Sequence, residues 1–368
     1  MSAEQKLDIA LRLEAVGVDV IEAGFPSSSP TDYRATQLLA QHLTSARFTS
    51  FVRAVREDVH VAVAAGGTRN HQLQVLATAS DLHLRNKRGI SRRAAVDEVR
   101  DTMRFATGLG VTDLSLGLED ASRGKPDLVR ALVDAAVEEG ATTMVVADTT
   151  GCLLPAEYAD LIRQVCEWVP PEVVVSTHCH DDFGLATANT IAGVQAGASE
   201  VQVTVAGIGE RAGNTAMEEF VAVAAYKGDQ LGFSTSIKTE GLFEIFQAVS
   251  AAISLEPQRT KAIFGLNAFA TQAGIHQAGM LRDPETYEYL EPARFGRERQ
   301  IFVGRHSGRV VLRHLLQQLD IPPDDVLLDR LYDEYIASRT GGECDELGVI
   351  RDELATRFAD LRVGVTSR

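Results

Sequence analysis

The sequence predicts an α/β fold: a (β/α)8 TIM barrel lacking its first strand, followed by a mainly helical C-terminal subdomain. Three observations carry this. Short β-rich runs alternate with helical patterns through the first 210 residues, as parallel βαβ units do. The units recur at roughly 30 residues, a barrel rhythm. Polar residues gather where strands end, at Glu22, Glu119, Asp148, His178 and His180, and barrel enzymes place their chemistry at strand C-terminal ends.

Taken in order, the chain opens on an amphipathic helix over 3–16. Strand runs begin at Val18 (VDVIEAGFP), Phe48 (FTSFVRA), Gln72 (QLQVLATA), Asp113 (DLSLGLED), Thr143 (TMVVADT), Glu172 (EVVVSTHCH) and Glu200 (EVQVTVAG). The segments between them, such as 91–110 and 125–141, carry apolar residues at helical spacing, and glycines mark where they stop. That makes seven strands, where a closed barrel needs eight. An open doubly wound sheet can have seven, but it binds ligands near its switch point, whereas here nearly every strand ends in a polar residue. After about residue 230 the strand rhythm stops. Residues 239–254 read as helix, 257–310 as Gly- and Pro-rich loop, and 309–319 and 323–362 as helix again. The expected division is therefore a barrel over 1–230 and a C-terminal region over 231–368.

Composition bounds the function. The chain has 368 residues, 45% hydrophobic and 24% charged, which suits a large globular domain with an appendage. A formal net charge of −15 opposes a broad nucleic-acid or anionic-membrane surface, so no nucleic acid and no membrane is expected as partner. It leaves room for an anionic small substrate at a local cationic site. No apolar run is long enough to span a bilayer, and the N-terminus lacks the pattern of a secretory signal. Cys152, Cys166, Cys179 and Cys344 form no CxxC pair, which points to free thiols in a reducing cytoplasm.

The strongest chemical signal is Ser176-Thr177-His178-Cys179-His180-Asp181-Asp182. On a strand, His178 and His180 share a face, and two imidazoles at a barrel mouth can bind one divalent metal. A buried, hydrogen-bonded histidine pair is the alternative; the strand-end location and the acids that follow favour the metal. Asp181 and Asp182 need not be ligands and could orient the imidazoles. Next comes Gly207-Ile208-Gly209-Glu210-Arg211-Ala212-Gly213-Asn214, whose glycines allow a tight turn and close backbone approach. Asn214 could reach the metal through its side-chain oxygen, and Glu210 and Arg211 read as an ion pair holding the loop. Glu119 can serve as a base or orient one. Asp148 could do the same or brace the barrel rim. His276 and His306 stand out in the C-terminal region.

At these residues the chain resembles the 2-isopropylmalate synthase and homocitrate synthase family, from about residue 3 to about 315. THCHDDFGLATANT, GIGERAGNTAMEEF, GIHQAGM followed by TYEYLEP, and RHSGR carry the resemblance together. It implies a barrel, a helical subdomain, and a homodimer in which that subdomain reaches over the partner's active site. It implies a divalent metal (Mg, Mn or Zn) and a Claisen condensation of acetyl-CoA with a 2-oxo acid, then thioester hydrolysis. His178, His180 and Asn214 are then metal ligands, Glu119 assists acid–base chemistry, and His276 and Tyr287 act in proton transfers. Thr177 touches the substrate carboxylate, with Asp148 beside the substrate. The family opens on a strand reading roughly D-T-T-L-R-D-G-E-Q, with a metal-binding Asp and an Arg that stabilises the enolate oxygen. Here Met1–Lys6 matches the segment just beyond it, so the absent motif is also the absent eighth strand. The resemblance points to 2-isopropylmalate synthase with 2-oxoisovalerate as acceptor, hence leucine biosynthesis. Homocitrate synthase with 2-oxoglutarate, a specialised relative using another 2-oxo acid, and an inactive barrel serving as a binding partner are the other readings.

Overall fold

The computed structural model describes the backbone of residues 1–365 and the side chains of residues 1–359. The chain forms two compact units, 1–256 and 257–368. The first extends past the expected boundary at 230 because its last helix, Leu242–Ile253, packs Ile245 and Val249 against Ile9 and Val16 of the opening helix.

Seven strands form the first unit's sheet: β1 (Val20–Gly24), β2 (Arg47–Arg53), β3 (His71–Thr78), β4 (Leu114–Glu119), β5 (Thr143–Asp148), β6 (Val174–Cys179) and β7 (Glu200–Val201). All neighbours are parallel and the spatial order follows the sequence order. Among the described residues β1 and β7 are the two edges and do not pair, so the sheet is a curled, open half-barrel. The connecting helices are α1 (Ala3–Val16), α2 (Pro30–His42), α3 (Arg56–Gly66), α4 (Arg92–Gly108), α5 (Pro126–Glu138), α6 (Pro155–Trp168), α7 (Ala186–Gln195), α8 (Met217–Leu231) and α9 (Leu242–Ile253). Local chemistry explains their ends. Ser2 and Gln5 form a capping box on α1, and Gly17 closes it in the left-handed region at φ 100°.

Strand alternation sorts the side chains. Leu73, Val75, Leu114, Leu116, Met144 and Val146 face the helices and are fully buried in one cluster with residues of α4, α5 and α6. The alternate residues face the half-barrel's interior, and these include Gln74, Ser115 and His178. β7 is shorter than the sequence run suggests. After Gln202 the backbone leaves β6 and turns at Ala206 (φ 62°), while the Thr204 N–H donates to the Thr215 carbonyl at 2.9 Å.

The second unit is helical with a small sheet, β8 (Ala270–Thr271), β9 (Gln300–Gly304) and β10 (Cys344–Glu346), in the order β10–β9–β8. Its helices are α10 (Gly274–Met280), α11 (Arg309–Gln318), α12 (Asp325–Tyr332) and α13 (Leu347–Val365). Val303, Leu312, Leu315, Leu331 and Ile350 form its core. The continuous helix expected over 323–362 is interrupted. Gly341 and Gly342 stand where it breaks, glycine is costly inside a helix, and β10 follows.

Candidate active site

His178 and His180 lie at the C-terminal end of β6 and project into the half-barrel, with Nε2 atoms 3.4 Å apart and ring centroids 5.3 Å apart. Tyr158 of α6 holds the strand from behind. Its hydroxyl donates to the Val146 carbonyl at 2.7 Å and accepts the His178 N–H at 3.2 Å. Burial pushes the His178 imidazole below its ordinary pKa, against the opposing effect of its hydrogen bond to the Gln202 oxygen. Burial, then the positive charge of Arg211, does the same for His180. Both rings are thus neutral at neutral pH, the state in which imidazole binds a metal.

Asn214 bridges His180 through the backbone, and its Nδ2 donates to the Ile208 carbonyl at 3.1 Å. Its Oδ1 is buried without a hydrogen-bond partner in the protein, as is His180 Nδ1. The loop that delivers it requires glycine. A Cβ on Gly209 lies 2.1 Å from Asn214 Nδ2, and one on Gly213, at φ 93°, lies 1.9 Å from the Gly207 carbonyl oxygen. Arg211 ties this loop to the histidine strand. It grips Asp182 at 2.8 and 2.9 Å and donates to the Thr149 carbonyl at 2.7 Å. The ion pair expected between Arg211 and Glu210 is therefore secondary: Glu210 stands 3.9 Å away with a largely exposed side chain. Asp181 instead receives the Ala186 N–H at 2.8 Å and caps α7.

The other expected site residues fall in several places. Thr177 is turned from the histidines by strand alternation. It faces α7, where its Cγ2 lies 2.7 Å from the position of a Cβ on Gly193. Asp148 is fully buried and accepts the N–H groups of Cys152 and Leu153 at 3.1 Å each, bracing the loop after β5. Glu119 faces the interior rim and accepts from Lys87 at 2.5 Å and Thr78 at 3.3 Å. His276 and Tyr287 meet in the second unit, rings 4.1 Å apart and both exposed. Sequence reasoning missed Gln202 and Gln74. The Gln202 Oε1 accepts from His178 Nδ1 at 2.8 Å, and its Nε2 donates to Gln74 Oε1 at 2.7 Å.

Two imidazole nitrogens 3.4 Å apart fit one divalent ion, because Zn–N bonds are about 2.1 Å long. Asn214, bridged to His180 through the backbone, carries an unpartnered oxygen that fits a third bond. Among the described residues, no three His, Cys, Asp or Glu side chains cluster in a metal-binding arrangement, so this donor set contains no carboxylate.

A parallel half-barrel with its polar residues at the strand ends defines a class of barrel protein, and a family model described as HMGL-like matches residues 1–249. The chain belongs to that family. A second model, described as homocitrate synthase post-HMGL domain-like, matches residues 263–338. Among curated proteins, the chain is 37% identical over 374 residues to a 2-isopropylmalate synthase of Haemophilus influenzae, covering 100% of this chain and 72% of that one. It is 39% identical to a 2-isopropylmalate synthase of a Caulobacter species, covering 99% and 71%. Among solved structures, the hydroxymethylglutaryl-CoA lyase of Pseudomonas aeruginosa superposes with a TM-score of 0.60 at 19% identity, covering 70% of this chain and 88% of that one. The lyase of Brucella melitensis gives 0.58 at 18%, covering 69% and 93%. These structural likenesses establish the fold as a TIM-type barrel. Among the described residues, no helix is long and apolar enough to cross a membrane, and all four cysteines are free.

Proposed function

We propose that this chain condenses acetyl-CoA with a 2-oxo acid and hydrolyses the resulting thioester, as a 2-isopropylmalate synthase acting in leucine biosynthesis. The observation that carries this reading is the 3.4 Å approach of His178 Nε2 to His180 Nε2, with an unpartnered Oδ1 on Asn214, the residue bridged to His180 through the backbone. These residues would hold a divalent metal, which supplies Lewis-acid polarisation of the ketone and a template for the 2-oxo acid.

The chain's own residues do the rest. Glu119, at the rim, assists the acid–base chemistry, with Lys87 bonded to its carboxylate. A base takes a proton from the acetyl methyl group, and the carbon left behind forms a bond to the ketone carbon. The ketone oxygen gains a proton as it becomes a hydroxyl. Water then cleaves the thioester, leaving a carboxylate and free CoA thiol. His276 and Tyr287 move protons in these steps, delivered by the second unit of the partner copy in a homodimer.

The interior supports an apolar acceptor over a second carboxylate. Phe51, Leu76 and Gly117 face inward beside Gln74. Cations at the strand ends already hold carboxylates: Lys6 with Asp32, Arg53 with Asp58, Lys87 with Glu119, Arg123 with Asp120, and Arg211 with Asp182. The test is thiol release from acetyl-CoA by the purified chain with Mg2+ or Mn2+, across a panel of 2-oxo acids. The expected outcome is metal-dependent release, faster with 2-oxoisovalerate than with 2-oxoglutarate. Release independent of any acceptor, or a preference for the dicarboxylate, overturns the reading.

A further inference from the structure

His178 is on β6 and Gln74 on β3, three strands apart in the sheet. Gln202, just beyond β7, spans the gap with hydrogen bonds of 2.8 Å to His178 Nδ1 and 2.7 Å to Gln74. A glutamine amide has one accepting end and one donating end. With Nε2 committed to Gln74, Gln202 offers His178 only its oxygen, so the proton must sit on His178 Nδ1. The lone pair then falls on Nε2, the nitrogen that faces His180 at 3.4 Å. Turning both amides over would reverse this, put the proton on Nε2 and close the ring to a metal. Gln74 is 6% exposed and packed beside Gly117, where a Cβ would lie 3.6 Å from Gln74 Nε2. The far end of the relay is therefore held inside the half-barrel.

We infer that Gln202, anchored by Gln74, is a positioning residue that sets the tautomer of His178 and so prepares its Nε2 as a ligand. The consequence for metal binding rests on the function proposed above; the tautomer is a property of the chain itself. Histidine partners that fix ring orientation typically change metal affinity by about 10–100-fold when removed.

The experiment uses the full chain with 15N-labelled histidine, metal-free, at pH 8, with the His178 signals assigned by their loss in His178→Gln. Two-bond proton–nitrogen spectra report which ring nitrogen is protonated. The wild-type chain should show His178 protonated on Nδ1. Gln202→Leu should move the proton to Nε2 and weaken Mn2+ binding by about tenfold or more. Gln202→Glu, whose carboxylate can only accept, should keep the Nδ1 tautomer, and it serves if the leucine variant does not fold. A wild-type His178 protonated on Nε2, or a Gln202→Leu variant with an unchanged tautomer, overturns the inference. A wild-type chain with the Nδ1 tautomer and no Mn2+ binding supports the inference and overturns the metal reading instead.

Discussion

At the scale of single residues, His71 of β3 is a buried histidine away from the candidate metal site. It is 1% exposed, stacked on Phe48 at 4.4 Å, and hydrogen-bonded to the Gly67 carbonyl and the Ser50 hydroxyl at 2.8 Å each. Burial lowers its pKa from 6.5 to about 4. The unfolded chain therefore takes up a proton between those values that the folded chain refuses. Stability contributed by neutral His71 is full above pH 6.5 and falls as pH drops toward 4, by about 3 kcal/mol at most. Urea unfolding at pH 7.5 and pH 4.5 should show that loss in the wild type and a smaller one in His71→Gln; equal losses would contradict this account. Residue-scale geometry was partly legible in the sequence. The shared face of His178 and His180 follows from a period of two, and the tight loop before Asn214 from its glycines. The same period turns Thr177 outward. Gln74 and Gln202 could not be found this way, because 128 positions separate them and only the curl of the sheet brings them together.

At the scale of elements, Tyr158 joins α6 to two strands at once. It is fully buried, and one hydroxyl serves both the Val146 carbonyl and the His178 N–H. Tyr158→Phe keeps the packing and the ladder between β5 and β6 but removes both hydroxyl bonds, at a cost of about 0.5–1.5 kcal/mol. Urea unfolding of the variant should show that loss, and a change within 0.5 kcal/mol, the usual range for a neutral surface substitution, would mean the bonds are unimportant. The strands were readable as elements because hydrophobic runs bounded by turn residues carry their own signal. The brevity of β7 was not, since it depends on Thr204 pairing with Thr215 rather than with β6. The break before β10 was missed for a related reason. Helical periodicity continues on both sides of Gly341 and Gly342 and masks the two residues that end it.

At the scale of the whole molecule, the seven strands and their parallel order were legible before any geometry was known, because each βα unit carries its own hydrophobic run. The tie made by Arg211 has a consequence at this scale. One guanidinium joins the loops that follow β5, β6 and β7, through the Thr149 carbonyl, Asp182 and its own place beside Asn214. Three strand ends that are far apart in the sequence therefore share one clasp, and none can loosen alone. Arg211→Lys, which cannot make the forked bond, should speed amide exchange in all three loops together; faster exchange in one loop alone would contradict this account. The precision of the rim is a collective property, held by a single side chain.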